Sequence, residues 1–437
     1  MHTTTARSSR RVACGAMALL AAISLAACSD DEATDDAATS DTTGIVVENP
    51  PATLEADGFA DPVTVADGAT HDSDVAIDRA TGRIYVAWAQ DLPKAEDQNF
   101  TPQDVYLAHS DDAGATFSDP VRVNKNDGEV NAGFNNSVKV AVTGDDRVLV
   151  TWPVMNDDMS VMRVAYALST DGGTTFPEGQ WISAADGEET SELYQDIAVS
   201  GDKVWIGYLD YRSDPTGIAV VSSDDGGETF GPSTRVEMTS CECCDNALAA
   251  DSAGTVFFAF RNKDQFSANT QVRDSAVARS YDDGATWSDP VKLGNDNWRF
   301  NGCPEAGPEI TIDSHDNLQN VYYTGVEGRQ GVYFTRSDDG GQTFATPTAV
   351  ATADFYPPAY MDLATTDADE TWIVWDDRRT KDQTVNLARV ADGDIEQLPE
   401  PFADGNTPSI DTDGTLTAIV WSDADGLRLA ASGEPKE

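Results

Sequence analysis

The chain has 437 residues, 40% of them hydrophobic and 24% charged, with 28 Lys and Arg against 76 Asp and Glu, for a formal charge of −48. Such an acidic excess excludes a nucleic-acid partner, whose phosphates require a basic face. It suits a solvated protein kept soluble by self-repulsion.

In chain order, Arg7, Arg10 and Arg11 precede an apolar stretch from Val12 to Ala27. Its length and flanks fit a signal peptide over residues 1–27, not a stop-transfer helix. It ends in Leu25-Ala26-Ala27-Cys28, which resembles a bacterial lipobox; the resemblance implies cleavage before Cys28 and lipidation of its thiol. Removing the signal, with three Arg and no acid, moves the formal charge from −48 to about −51. Residues 28–58 are rich in Ser, Thr, Ala and acids, without Lys or Arg. Such a segment buries too little apolar surface to fold and reads as a disordered acidic tether. No later apolar run is long enough to span a bilayer. The expectation is an extracytoplasmic head, lipid-anchored to a bacterial cell membrane.

Five copies of one phrase follow: Ser110–Phe117, Ser169–Phe176, Ser223–Phe230, Ser280–Trp287 and Ser337–Phe344, with consensus S-x-D-x-G-x-T-[F/W] and starts 54 to 59 residues apart. A period of this size means one supersecondary unit stacked or arranged radially. The phrase suits a hairpin turn, because Ser and Asp side chains bond backbone N–H groups and Gly accepts positive φ. Its aromatic then packs between units.

Short apolar runs precede each copy: Ile84–Trp88, Val148–Trp152, Val204–Tyr208, Val256–Phe260 and Val321–Gly325, with two more at Thr371–Trp375 and Thr417–Trp421. β-Branched and aromatic runs bounded by Gly and Asp read as strands. Another short strand comes before each run and a fourth after each phrase, as in Phe117–Val123 and Trp287–Leu293. Four strands repeated radially make a propeller blade. The last unit ends at Leu427–Ala430, one strand short, while Phe59–Val65 has the fourth-strand pattern and no blade of its own. The fold expected is therefore an all-β propeller over residues 59–432, closed by an N-terminal strand, with a tail over 433–437. Seven blades is the count, and six is the alternative if a unit near residues 350–400 is misread. Closure removes exposed sheet edges.

The repeated phrase resembles the Asp box, or BNR repeat, of the sialidase-type β-propellers. The resemblance implies that the boxes are structural turns on the face opposite the ligand site. The ligand face then draws on His71 and Asp72, Asn135 and Asn136, Tyr194 and Gln195, Cys241–Asp245, Trp298–Glu305 and Tyr356–Tyr360, with Asp91, Arg212, Arg261, Arg273, Arg329, Arg378 and Arg379 from within blades. Arginines suit bidentate carboxylate recognition, and sialidases place three on the sialate carboxylate. Arg212, Arg261, Arg299, Arg329 and Arg378 are the candidates here, against the alternative of rim residues balancing an acidic surface. Sialidases add an acid/base Asp, a Tyr nucleophile and a Glu that activates it; by position these are Asp72 or Asp91, Tyr356 or Tyr360, and Glu305. The family's Arg-Ile-Pro is missing from the first blade, which reads His71-Asp72-Ser73-Asp74.

Cys241-Glu242-Cys243-Cys244 and Gly302-Cys303-Pro304 precede blades 4 and 5. A similar Cys-x-Cys-Cys and Gly-Cys-Pro pair occurs in a subset of bacterial sialidase-like proteins. An even number of cysteines outside the cytoplasm favours disulfides, with one bridge expected between the triplet and Cys303 and the other local. The alternative is a copper or zinc thiolate site at Cys241, Cys243, Cys244 and Cys303; otherwise no cofactor is expected. Three functions remain open: a monomeric cell-surface propeller binding a glycan or small molecule, an exo-sialidase, and a metal-handling or redox lipoprotein.

Overall fold

Seven first strands start the blades: Thr70–Ile77, Lys139–Gly144, Glu192–Ser200, Ala247–Ala250, Glu309–Ile312, Met361–Thr365 and Asn406–Thr412. Each pairs antiparallel with an apolar second strand, and each second strand with a third. The computed structural model describes residues 51–54, 58–96, 98–133, 135–156, 158–187, 191–212, 214–267, 270–352, 358–379 and 381–434. Within them the chain is a β-propeller of seven four-stranded antiparallel blades. Cys28 and Tyr356, with the signal and most of the tether, lie outside the described residues.

The second strands show why the apolar runs are continuous and do not alternate. Val256–Arg261 is buried at every position, as is Thr417–Ser422, because one blade covers each face. Trp88, Trp152, Trp205 and Trp421 are among the largest fully buried side chains. Truncating such a residue to Ala typically costs about 3–5 kcal/mol. The core is thus a set of layers between neighbouring blades: one joins Ala87, Leu107 and Val123 of blade 1 to Val140, Val150 and Trp152 of blade 2.

Ring closure is as the repeat arithmetic requires. Val63–Asp67 supplies the fourth strand of blade 7, with Val63 opposite Leu429 and Asp67 opposite Gly426. Contacts reach further back than Phe59, into the segment read as a tether. Ala52–Thr53 pairs in parallel with Glu396 and Gln397 on blade 6, and Leu54 is buried there.

The five Asp boxes join third to fourth strands in blades 1–5 and share one geometry. In the first, Ser110 Oγ donates to Asp112 Oδ1 at 2.8 Å and accepts from Gly114 N at 2.9 Å. Asp112 also accepts from Thr116 N at 2.8 Å and Thr116 Oγ1 at 2.6 Å. These Thr donors hold the carboxyls of Asp112, Asp171 and Asp282 below the usual range. Gly114, at φ 84°, has no room for a Cβ, which would lie 2.8 Å from Leu429 Cδ2. The box carboxylates are therefore consumed by their own turns.

Candidate functional site

First strands enter from the face opposite the Asp boxes, and their entry residues form the mouth of the central funnel. Bulges between His71 and Asp74, Leu193 and Asp196, and Asn406 and Ser409 turn their side chains off the pleat. Asp72, Asn135, Tyr194, Glu305 and Thr407 all have positive φ. Strained backbone of this kind persists where surrounding contacts enforce it.

Those contacts form a plug across the mouth. The Tyr360 hydroxyl donates to Asp72 Oδ1 and accepts from Asn135 N at 3.1 Å. Asn135 Nδ2 donates to the carbonyl of Glu305. Blades 1, 2, 5 and 6 are thereby tied together, and three sequence candidates, Asp72, Glu305 and Tyr360, meet. Glu305 contributes its carbonyl to the plug. Burial pushes the Asp72 carboxyl up to about 6, against the Tyr360 hydrogen bond. Burial, with the Asp72 charge, holds the Tyr360 hydroxyl well above its ordinary value. A tyrosine so placed is a neutral hydrogen-bond donor to a buried carboxylate.

Around the plug, His71 Nε2 lies 3.1 Å from Asp91 Oδ2, and Gln103 Nε2 donates to Asp91 Oδ1 at 3.0 Å. Asp376 accepts from the N–H groups of Ala359 and Tyr360 at 2.8 and 3.0 Å, and Arg378 Nε lies 3.6 Å from its other oxygen. Several polar atoms at this end are buried without a hydrogen-bond partner: Ser73 Oγ, Asn135 Oδ1, Gln195 Oε1, Asn246 Oδ1 and Thr407 Oγ1. Each belongs to the entry of a first strand, in blades 1, 2, 3, 4 and 7.

The arginines do not converge on one point. Arg261 is fully buried and donates to the carbonyls of Ala306, Arg273 and Tyr323 at 2.8, 2.6 and 2.9 Å. Its guanidinium lies 5.2 Å from the Trp298 ring, and burial lowers its pKa to about 10. Arg212 is spent on Asp210 and Asp186. Arg273 pairs with Glu242, Arg329 with Asp296 and Arg379 with Asp377. Arg378 stands beside the plug and Arg299 is exposed.

The cysteines gather beside blades 4 and 5. Cys241 lies against Cys244 and Cys243 against Cys303, with Cα separations of 5.5 and 6.3 Å, inside the disulfide range of about 4.4–6.8 Å.

One feature went unread in the sequence. Asp74, Lys139, Asp196, Ala247, Glu309, Asp362 and Ser409 hold the same register position in the seven first strands. The charged members line a central cavity of about 780 Å³. Three of these carboxylates clamp one blade to the next: Asp74 accepts from Val140 N, Asp196 from Leu248 N and Asp362 from Ile410 N, at 2.8, 2.7 and 2.9 Å. Burial raises Asp362 to about 7 and pushes Glu309 well up. Lys139 is the ring's only cation. Burial opposes its charge, but Asp196, Asp74, Asp245 and Glu309 outweigh burial and hold its pKa well above the usual value. The available signal was a charged residue ahead of a branched apolar residue and Ala, at Asp74, Lys139, Asp196 and Asp362, whereas Glu309 is followed by Ile310-Thr311.

No protein-family model matches the chain, and no curated protein matches it. Solved structures do. A protein of unknown function from Dyadobacter fermentans is 12% identical at a TM-score of 0.51, covering 86% of this chain and 99% of that one. A PL25 ulvan lyase bound to -[GlcA(1-4)Rha3S]- is 11% identical at a TM-score of 0.55, covering 86% and 98%. A Hadza microbial sialidase is 13% identical at a TM-score of 0.48, covering 76% and 73%. The likenesses to the first two, with TM-scores above 0.5, are likenesses of fold, and the ring of blades described above makes that fold a β-propeller.

Proposed function

We propose that this propeller is a glycan-binding protein without hydrolytic activity, displayed outside a bacterial cell on a lipid attached to Cys28. The observation that carries the reading is the group of partly exposed polar side chains beside the plug: His71, Asp91 and Arg378, grouped around the Asp72–Tyr360 pair. A few convergent polar groups of this kind fix the orientation of a small ligand, and the hydroxyls of a sugar suit them. His71, Asp91 and Arg378 stand at the rim as the contacts that set orientation. The ulvan lyase shares this fold and holds an acidic saccharide, which favours a glycan over other small ligands.

The reading as a binder and not an exo-sialidase rests on the arginines, which do not converge beside the Tyr360–Asp72 pair. Arg212, Arg261 and Arg329, the candidates for a carboxylate clamp, have partners within the protein. The acidic surface suits a monomer in contact with the membrane through its anchor alone, and excludes nucleic acid.

The test is a glycan array probed with the purified lipoprotein, followed by calorimetry on each hit. His71→Ala and Arg378→Ala should each weaken binding by about 1.5–3 kcal/mol if they make charge-assisted hydrogen bonds to the ligand. Cys28→Ala should move the protein out of the membrane fraction. Release of sialic acid from a sialoside, abolished by Tyr360→Phe, would replace this reading with the hydrolase.

A further inference from the structure

We propose that Cys241, Cys243, Cys244 and Cys303 form a redox-gated site for one thiophilic d¹⁰ ion, zinc or copper(I), with the two disulfides as its closed, oxidised form. The site flanks the funnel mouth, with Cys303 two residues before Glu305 of the plug, and it does not rest on the glycan reading.

The distinguishing observation is that all four sulfurs lie within 4.8 Å of one another. Two unrelated bridges need no such proximity. Cys241 Sγ and Cys243 Sγ, which belong to different bridges, are 3.9 Å apart. In a tetrahedral tetrathiolate with metal–sulfur bonds of about 2.3 Å, neighbouring sulfurs are about 3.8 Å apart. Small rotations of the side chains convert one arrangement into the other.

The gathering does not depend on the bridges. Arg261, buried between blades 4 and 5, holds both cysteine segments. Its carbonyl accepts from Cys241 N at 2.9 Å, and its Nε donates to the carbonyl of Ala306, three residues after Cys303, at 2.8 Å. The Tyr211 hydroxyl adds a hydrogen bond to the Glu242 carbonyl at 2.8 Å. A reduced chain therefore keeps its four thiols together. This gives Arg261 a positioning role on the cysteine loops, in place of ligand recognition.

Charge and access agree with the assignment. The Glu242 carboxylate, set between the cysteines in sequence, pairs with both Lys263 Nζ at 2.9 Å and Arg273 Nη1 at 3.2 Å. Two cations for one carboxylate leave positive charge beside a centre that carries two or three negative charges once metallated. Cys241 and Cys244 are buried, whereas Cys303 is exposed and gives reductant and metal a way in. The chemistry balances. Each bridge takes two electrons and two protons from two external thiols or one dithiol, which are oxidised to a disulfide. The four thiols then lose four protons as one ion forms four metal–sulfur bonds.

The experiment uses the full-length protein, reduced anaerobically with a phosphine and titrated separately with Zn²⁺ and Cu⁺, with Co²⁺ as the spectroscopic probe. The expected result is one ion per chain, with the intense visible absorption of a tetrahedral thiolate in the cobalt form. Air-oxidised protein should bind none. Cys243→Ser and Cys303→Ser should each weaken binding by more than the roughly 10–100-fold that loss of a supporting contact costs. Circular dichroism and melting of the reduced, metal-free protein supply the control for folding. Four titratable thiols in a folded chain with no stoichiometric metal would overturn the proposal. So would unfolding on reduction, because Arg261 would then not be holding the loops, and so would equal metal uptake by the oxidised protein. Retention of copper or zinc from a mixture identifies which ion the site prefers.

Discussion

Lys139→Met should destabilise the propeller in a pH-dependent way. The ammonium is 3.6 Å from Asp196, with 17% of its side chain exposed, and it restrains the carboxyls of Asp74, Asp245, Glu309 and Asp362. Removing one partner from such a buried group costs about 3–5 kcal/mol. A domain of this size has an unfolding entropy of roughly 0.8 kcal/mol/K near 60 °C, so the melting temperature should fall by about 5 °C at pH 8. Burial pushes the carboxyls of Asp245 and Asp362 up to about 7 in the folded protein, from an ordinary value of 3.8. Between those values the folded state holds more protons, so stability falls as pH rises through the window. Losing Lys139 raises both carboxyls further and deepens the loss at pH 8. At pH 5 they are protonated and uncharged, and the variant should sit much closer to wild type. Lys203→Met, which breaks a surface pair with Asp283, serves as the control and should cost less than about 1 kcal/mol. Calorimetric melts of all three proteins at pH 5 and 8 decide. An equal Lys139→Met penalty at the two pH values, or none at pH 8, would refute the ring as an electrostatic unit.

Other consequences concern the scaffold. Gly227→Ala should cost about 1–2 kcal/mol for forcing a side chain into positive φ, whereas Gly173→Ala should cost more in a denaturant titration, because its Cβ would also lie 2.8 Å from Leu107 Cδ2. Deleting residues 59–66 should lower the melting temperature sharply by unpairing Gly426–Ser432, while deleting 29–50 should not; equal melts would contradict closure by Val63–Asp67. Arg261→Met should destabilise the fold, since it strands the carbonyls of Ala306, Arg273 and Tyr323, and a purely functional role would instead leave the urea midpoint unchanged.

The architecture was legible because its determinants are local and repeated. Ser, Asp, Gly and Thr of an Asp box bond to one another within eight residues, so the motif carries its own geometry. The missing strand of blade 7 was legible for the same reason: Phe59–Val65 repeats a pattern seen after each box. The site was legible only as a list. The blade register puts Asp72 and Tyr360 on one face, but their contact joins blades 1 and 6 and depends on bulges that periodicity does not encode. Arg261 illustrates the other difficulty. Scarce arginines in an acidic chain suggest anion recognition, yet three carbonyls from the neighbouring loops capture this one. The acid ring with Lys139 escaped because its members lie one per blade, and Ala247 and Ser409 interrupt the pattern.

The most direct test of the central claim measures binding and turnover in the same sample. Purified protein incubated with each glycan retained on the array would be analysed by calorimetry and by mass spectrometry of the recovered saccharide. The account predicts saturable binding, weakened by Arg378→Ala, with every saccharide recovered intact. Cleaved product that forms with wild type and disappears with Tyr360→Phe would contradict it.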